Sequence, residues 1–337
     1  MVGTTKISED LFFRIFIMSD HAMKAVVLGD GELKFENNYQ PKLSSSEVEV
    51  KVLQAGVCET DLQLVRGYMG FSGVLGHEFV GIAQTRKFAG QRVVGEINCA
   101  CNDCSYCSKG LQNHCPQRTV IGILNHDGAF AESVSVPEKN LHGIPDNVTN
   151  DQAVFVEPLA AAFQIPAQID LSSFNKIVLL GDGRLGNLCA QVISIDNTSL
   201  TVVGKHPEKL SRLQSLGIET ALLSEFDEKQ SADLVVDCTG SRNGMEAAIQ
   251  IVKPRGTIVL KSTFAGQNGP NLAEIVIHEI NLIGSRCGPF ETAIQALAQK
   301  SIEVDSLITS RFSIDEAVAA FETAKQKDQL KVLLEID

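Results

Sequence analysis

Two textures of hydrophobic patterning divide the chain. Up to about residue 150, apolar and polar positions alternate. Val48-Glu49-Val50-Lys51-Val52-Leu53 and Ala131-Glu132-Ser133-Val134-Ser135-Val136 both send successive side chains to opposite faces. This predicts half-buried strands in a β-rich lobe punctuated by glycines. From about residue 175 the apolar runs become short and continuous: Ile177-Val178-Leu179-Leu180, Leu200-Thr201-Val202-Val203, Leu234-Val235-Val236 and Thr257-Ile258-Val259-Leu260. These read as strands covered on both faces. The segments between them, 186–195, 207–216 and 243–252, carry helical spacing. Alternating buried strands and helices predict a doubly wound parallel sheet, so the fold class is α/β. Toward the C-terminus the pattern is mixed, with a helix expected at 315–325 and a last strand near 330–336.

A length of 337 residues suits two lobes, and 44% hydrophobic residues suffice for ordinary globular cores. The net charge of -12 speaks against nucleic acid or an anionic membrane as partner, but it does not identify a substrate, because a local basic pocket can coexist with an acidic exterior. No apolar run reaches the ~20 residues of a spanning helix. Leu11–Met18 is apolar, but Arg14 interrupts it and Ser8-Glu9-Asp10 precedes it where an export signal is basic. Residues 1–22 therefore read as a loose extension or a mis-assigned start, with the folded part opening at Met23-Lys24-Ala25-Val26-Val27-Leu28, and the protein as cytoplasmic.

Five of the nine cysteines fall between Cys99 and Cys115. A disulfide scaffold is cysteine-dense throughout, whereas one tight cluster in a long chain points to metal. Cys101-x2-Cys104-x2-Cys107-x7-Cys115 supplies four thiolates, the closed tetrahedral set of a structural zinc. An iron–sulfur cluster or four free thiols are the alternatives, and Cys99 is the spare thiol. Elsewhere, Cys58 lies in Gly56-Val57-Cys58-Glu59-Thr60-Asp61, His77 in Gly76-His77-Glu78, and Glu157 in Val156-Glu157-Pro158. Singly each is weak: a lone His is more often a satisfied core residue, and a lone Cys a small hydrophobe. Together they offer a thiolate, an imidazole and a carboxylate. Three protein ligands and one open position make a catalytic zinc site, but spacing alone does not establish one here.

The run Lys176–Leu180 feeds directly into Gly181-Asp182-Gly183-Arg184-Leu185-Gly186 and a helical segment. A GxGxxG loop between a buried strand and a helix is a dinucleotide site. Its glycines permit the turn, the approach of pyrophosphate and close helix–strand packing, while the helix N-terminus faces the phosphates. A plain strand–turn–helix is the alternative. An NAD site places Asp or Glu near the end of the second strand. Here Gly204-Lys205-His206 follow Val203, with no acid. Glycine leaves room for a 2′-phosphate and Lys205 or His206 can pair with it, so NADP is favoured over NAD.

On these motifs, from Lys24 to its end, the chain resembles the zinc-containing branch of the medium-chain dehydrogenase/reductase superfamily, the alcohol and polyol dehydrogenases. The resemblance implies a GroES-like β-rich catalytic domain at 23–160, completed by 293–337, and a Rossmann domain at 161–292. It implies one catalytic and one structural zinc per chain, NAD(P) as cofactor, an alcohol or polyol (or the matching carbonyl) as substrate, and a homodimer or homotetramer. It makes Cys58 and His77 catalytic zinc ligands and puts Glu157 at the position that supplies a further ligand or holds the zinc-bound water. Glu78 becomes the nearby acid that binds zinc during ligand exchange, Thr60 the hydroxyl of the proton relay, and Asp61 a support behind the metal. Two positions depart from the family: Glu59 stands where glycine is common, and Gln63 where a histidine often ends the relay. An amide cannot shuttle a proton, so the last step passes to water. Arg286 is a candidate for an anionic or polyhydroxyl group of the substrate, or a surface arginine. A sugar, amino-alcohol or threonine-type dehydrogenase, and a non-catalytic dinucleotide binder, are the competing functions.

Overall fold

The computed structural model describes residues 22–41, 44, 46–196, 199–263 and 271–336. Of the extension read at 1–22, all but Ala22 lies outside the described residues.

The alternating segments become strands of an antiparallel-rich sheet built around Val48–Val57. That strand alternates in burial at its start and is continuously buried at its end, because neighbours crowd it there. Glu78–Ala83, Ser133–Val136 and the C-terminal Lys331–Glu335 all pair with it in antiparallel fashion. Register then decides which side chains meet. Gly56 lies opposite both Glu78 and Leu333, so Glu78 and Lys331 flank it from either side. A Cβ on Gly56 would stand 3.0 Å from Glu78 Oε2 and 3.1 Å from Lys331 Cδ. Glycine is what leaves space for that pair. Phe130 and Phe321, both fully buried, meet edge to face at 5.8 Å and tie the C-terminal helix Ala317–Ala324 to this lobe.

The continuous apolar runs form a second sheet of six parallel strands. In space they run Glu219–Leu222, Leu200–Gly204, Ile177–Leu180, Ala232–Asp237, Val252–Leu260, Asn281–Gly284, the 3-2-1-4-5-6 order of a dinucleotide-binding sheet. All four residues of Ile177–Leu180 are buried, as a central parallel strand with helices on both faces requires. The helices Arg184–Asp196, Pro207–Ser215 and Arg242–Ile251 lie within two residues of where spacing put them. The C-terminal helix is shorter than expected, since Ile314–Glu316 is a separate 3-10 turn closed by a Ser313/Glu316 capping box. The helix Val156–Gln168, which carries Glu157 in its first turn, was not anticipated, because Pro158 and Pro166 mask its spacing.

Candidate active site

The four sulfurs of Cys101, Cys104, Cys107 and Cys115 converge. Cys101–Cys115 and Cys104–Cys107 are 3.5 Å apart, Cys104–Cys115 3.8 Å and Cys101–Cys107 3.9 Å. A tetrahedron with zinc–sulfur bonds of ~2.3 Å has sulfur–sulfur edges of about 3.8 Å, whereas a disulfide is ~2.05 Å. The set therefore fits one tetrahedral ion and is not disulfide-bonded. Cys99 is buried outside it, its thiol near the Ile97 carbonyl.

Cys58 ends the central strand and starts the helix Glu59–Val65. Its Sγ, a ring nitrogen of His77 and a carboxylate oxygen of Glu78 all lie within 4.8 Å of one another. Asp61, fully buried, organises the group: Oδ2 accepts the Cys58 N–H at 2.8 Å and Oδ1 lies 3.2 Å from His77 Nδ1. Nδ1 thus faces a buried carboxylate, the arrangement that commonly stands behind a metal-bound imidazole. Glu78, also fully buried, forms an ion pair with Lys331, while its Oε1 has no hydrogen-bond partner. An orphaned, buried carboxylate oxygen beside a thiolate and an imidazole fits a divalent cation.

Glu157 is not among the converging ligand atoms; Glu78, adjacent in sequence to His77, takes that place. Glu157 stands close by. Burial and the charge of Glu78 push its carboxyl up to about 7, against the pull of His77, Lys331 and Lys261. Thr60 is half-buried in the first turn after Cys58. The two departures from the family pattern pair with each other: Gln63 Nε2 donates to Glu59 Oε1 at 2.7 Å on the exposed side of the helix. Arg286 donates to the Asn113 carbonyl, so it ties the segment that follows the strand Asn281–Gly284 to the four-cysteine lobe.

The glycine-rich turn behaves as its spacing predicts. Gly181 has φ +119°, and a Cβ there would meet the Cys238 backbone at 3.1 Å. A Cβ on Gly186 would lie 2.1 Å from the Gly181 carbonyl oxygen, so only glycine lets the helix approach the strand. Above Gly183 the space is open, as a pyrophosphate cradle needs. Leu185 is packed against the core beneath. Arg184 does not turn toward that cradle. Its half-buried side chain donates to the carbonyls of Val57 at 3.0 Å and Leu330 at 2.7 Å, the residues preceding Cys58 and Lys331. The turn and the metal ligands are thus one side chain apart.

At the end of the second strand the structure corrects the reading of Gly204. The room beside it is taken: a Cβ would lie 2.5 Å from Asp182 Oδ2. Asp182 accepts the N–H groups of Lys205 and His206 at 2.6 and 2.7 Å, and His206 Nδ1 lies 3.0 Å from its other oxygen. Burial opposes its charge, but His206 and the two amides outweigh that and hold its pKa below the ordinary carboxylate value. An acid is present at this strand end after all, supplied by the loop. Sequence reasoning missed it by looking for the acid only on the second strand. It missed Lys331 too, though a lone cation inside the apolar run Lys331–Leu334 was the available signal.

A thiolate–imidazole–carboxylate cluster in a β-rich lobe, set against a glycine-rich turn on a doubly wound sheet, defines a metal-assisted nicotinamide dehydrogenase class. The sequence matches the alcohol dehydrogenase GroES-like domain family over residues 44–146 and the glucose dehydrogenase C-terminus family over residues 151–336. The chain belongs to the zinc-containing medium-chain dehydrogenase/reductase superfamily. It is 28% identical over 340 residues to a sorbitol dehydrogenase of Halalkalibacterium halodurans, covering 93% of this chain and 99% of that one. Among solved structures, a zinc-binding dehydrogenase of Sinorhizobium meliloti bound to NADP superposes with a TM-score of 0.84 at 28% identity, over 93% of this chain and 99% of that one. An E. coli alcohol dehydrogenase complexed with NADH superposes with a TM-score of 0.83 at 25% identity, over 94% and 99%.

Proposed function

We propose that this protein is a zinc-dependent oxidoreductase that transfers a hydride between a polyol or alcohol and a nicotinamide dinucleotide. The observation that carries the reading is the convergence of Cys58, His77 and Glu78 one side chain from the Gly181–Gly186 turn. The kinship with sorbitol dehydrogenase supports a polyol over a simple alcohol. We place the catalytic domain at 23–160 with 293–337 and the dinucleotide domain at 161–292, with the reaction in the cleft between them.

Cys58 and His77 hold the catalytic zinc, with Glu78 or Glu157 as the exchangeable carboxylate, and Cys101, Cys104, Cys107 and Cys115 hold the structural one. Zinc at the first site supplies a Lewis acid that lowers the pKa of a coordinated hydroxyl. The remaining work falls to the chain. Asp61 faces His77 Nδ1 with one carboxylate oxygen and holds the start of the Cys58 helix with the other. Thr60 takes the hydroxyl proton toward solvent, and with Gln63 turned to Glu59 the relay ends in water. The turn and the N-terminus of Arg184–Asp196 bind the pyrophosphate and orient the nicotinamide, and Lys331 with Arg184 holds Glu78 ionised in a dry site.

No described helix is long and apolar enough to cross a membrane. The Ala273–Ile277 helix exposes Val276 and Ile277 at 77% and 66%, and Leu282 lies exposed on the edge strand Asn281–Gly284. An apolar patch beside an open sheet edge supports a homo-oligomer, a dimer or tetramer, assembled through that edge. Sedimentation of the wild type against Val276→Lys with Ile277→Lys tests it, with a shift to monomer expected. For the activity, reduction of NAD and NADP is followed with a panel of polyols, alcohols and sugars. Turnover of at least one polyol, lost in Cys58→Ser with the folding transition retained, is expected. Full turnover by Cys58→Ser refutes the proposal.

A further inference from the structure

We infer that Asp182 makes this site selective for NAD over NADP. The inference rests on dinucleotide binding at the Gly181–Gly186 turn. In a doubly wound sheet the adenosine ribose comes to rest at the tip of the second strand, here Leu200–Gly204. The groups at that tip are the Lys205 and His206 amides, the His206 ring and the Asp182 carboxylate that all three address.

A carboxylate offers about four acceptor positions. Oδ2 spends two on the Lys205 and His206 amides, and His206 Nδ1 takes a third, 3.0 Å from Oδ1 and 3.1 Å from Oδ2. One position on Oδ1 remains. A ribose 2′-hydroxyl is a donor and satisfies it. A 2′-phosphate brings only acceptor oxygens and up to about two negative charges. It finds the strand-end amides already engaged and a carboxylate in the space it needs.

Asp182 cannot withdraw. It is 9% exposed, its side chain is packed on Gly204, and three donors hold it. The hydrogen bonds that keep its pKa low also keep its charge in place at neutral pH. Lys205 is exposed, so its attraction for a phosphate is screened by water and salt, while the buried carboxylate is screened much less. Because Asp182 sits within the turn that cradles the pyrophosphate, it is fixed relative to the rest of the cofactor. Gly204 reads as the residue that accommodates Asp182, not a phosphate.

Binding of NADH and NADPH is titrated separately against the wild type, following nicotinamide fluorescence, which needs neither substrate nor turnover. NADPH is expected to bind at least about tenfold more weakly than NADH, as one incompletely screened like charge entails. Asp182→Asn, which keeps the shape and removes the charge, should weaken NADH several-fold and tighten NADPH. Asp182→Glu, which restores the charge, should return the preference toward NADH. Equal or tighter NADPH binding by the wild type overturns the inference and leaves the dehydrogenase reading intact; it would mean that Asp182 orients Lys205 and His206 toward a phosphate. Loss of both affinities by one factor in Asp182→Asn overturns it as well, since that marks a purely structural residue. If neither dinucleotide binds the wild type, the dehydrogenase reading falls with it.

Discussion

Lys331→Met tests how the buried charges beneath the proposed metal site are held. Lys331 and Glu78 have fully buried side chains and form an ion pair, with the ammonium also 5.1 Å from the Phe155 ring centroid. Methionine keeps an unbranched apolar chain one atom shorter and removes the charge together with the donor to Glu78. Glu78 is then a buried carboxylate left with Arg184 and His77 as its positive neighbours, with Oε1 already unpartnered. Breaking a buried pair by removing one partner costs about 3–5 kcal/mol. The Arg184 guanidinium is committed to the Val57 and Leu330 carbonyls but still favours the Glu78 charge, which places the expected loss near the lower end, about 3 kcal/mol. The double variant Lys331→Met/Glu78→Gln removes both charges and should recover at least about half of that loss, because a neutral amide is far cheaper to bury than a carboxylate. Urea denaturation of chelator-treated protein gives both numbers, provided the slopes agree between variants. A loss under about 1 kcal/mol for Lys331→Met, or a double variant less stable than the single one, would contradict the ion-pair reasoning.

Gly186→Ala puts a Cβ 2.1 Å from the Gly181 carbonyl oxygen, so the helix Arg184–Asp196 must move outward by about 1 Å. NADH affinity should fall by about a hundredfold with about 1–3 kcal/mol of stability, and unchanged NADH titration would remove the turn from the binding site. His126 offers a pH test away from the metal clusters. Burial alone would lower its pKa, but Cys99, Glu47 and the Asp127 carbonyl outweigh that and push it up to about 10. A raised folded pKa means stabilisation that is complete below the unfolded value of ~6.5 and lost as pH rises through about 10. The melting temperature gap between wild type and His126→Gln should therefore be widest near pH 6 and narrow steadily toward pH 10, and a gap independent of pH would contradict the assignment.

What the sequence disclosed follows from how locally each feature is encoded. The parallel sheet was readable because Ile177–Leu180 and its neighbours are apolar without interruption, which only strands covered on both faces require. The four-cysteine site was readable because all its ligands fall within fifteen residues, from Cys101 to Cys115. The second cluster was not: Cys58 and His77 meet through the pairing of Val48–Val57 with Glu78–Ala83, and only resemblance to known dehydrogenases linked them beforehand. That resemblance put both Glu157 and Glu78 forward without choosing between them; the strand register brings Glu78 into the cluster and balances it with a cation 253 positions away in sequence. Asp182 escaped notice for the same reason. Its partners, Lys205 and His206, are 23 and 24 residues on, and nothing in GxGxxG says where the second residue points.

Two metal sites in one chain underlie the proposed chemistry, and elemental analysis of the purified protein measures them directly. The prediction is about two zinc ions per chain in the wild type, about one in Cys58→Ser with His77→Ala, and about one in Cys101→Ser with Cys104→Ser if that lobe still folds. A wild type that holds one zinc, unchanged by Cys58→Ser with His77→Ala, would leave the four-cysteine lobe as the sole metal site and contradict the proposed catalytic centre.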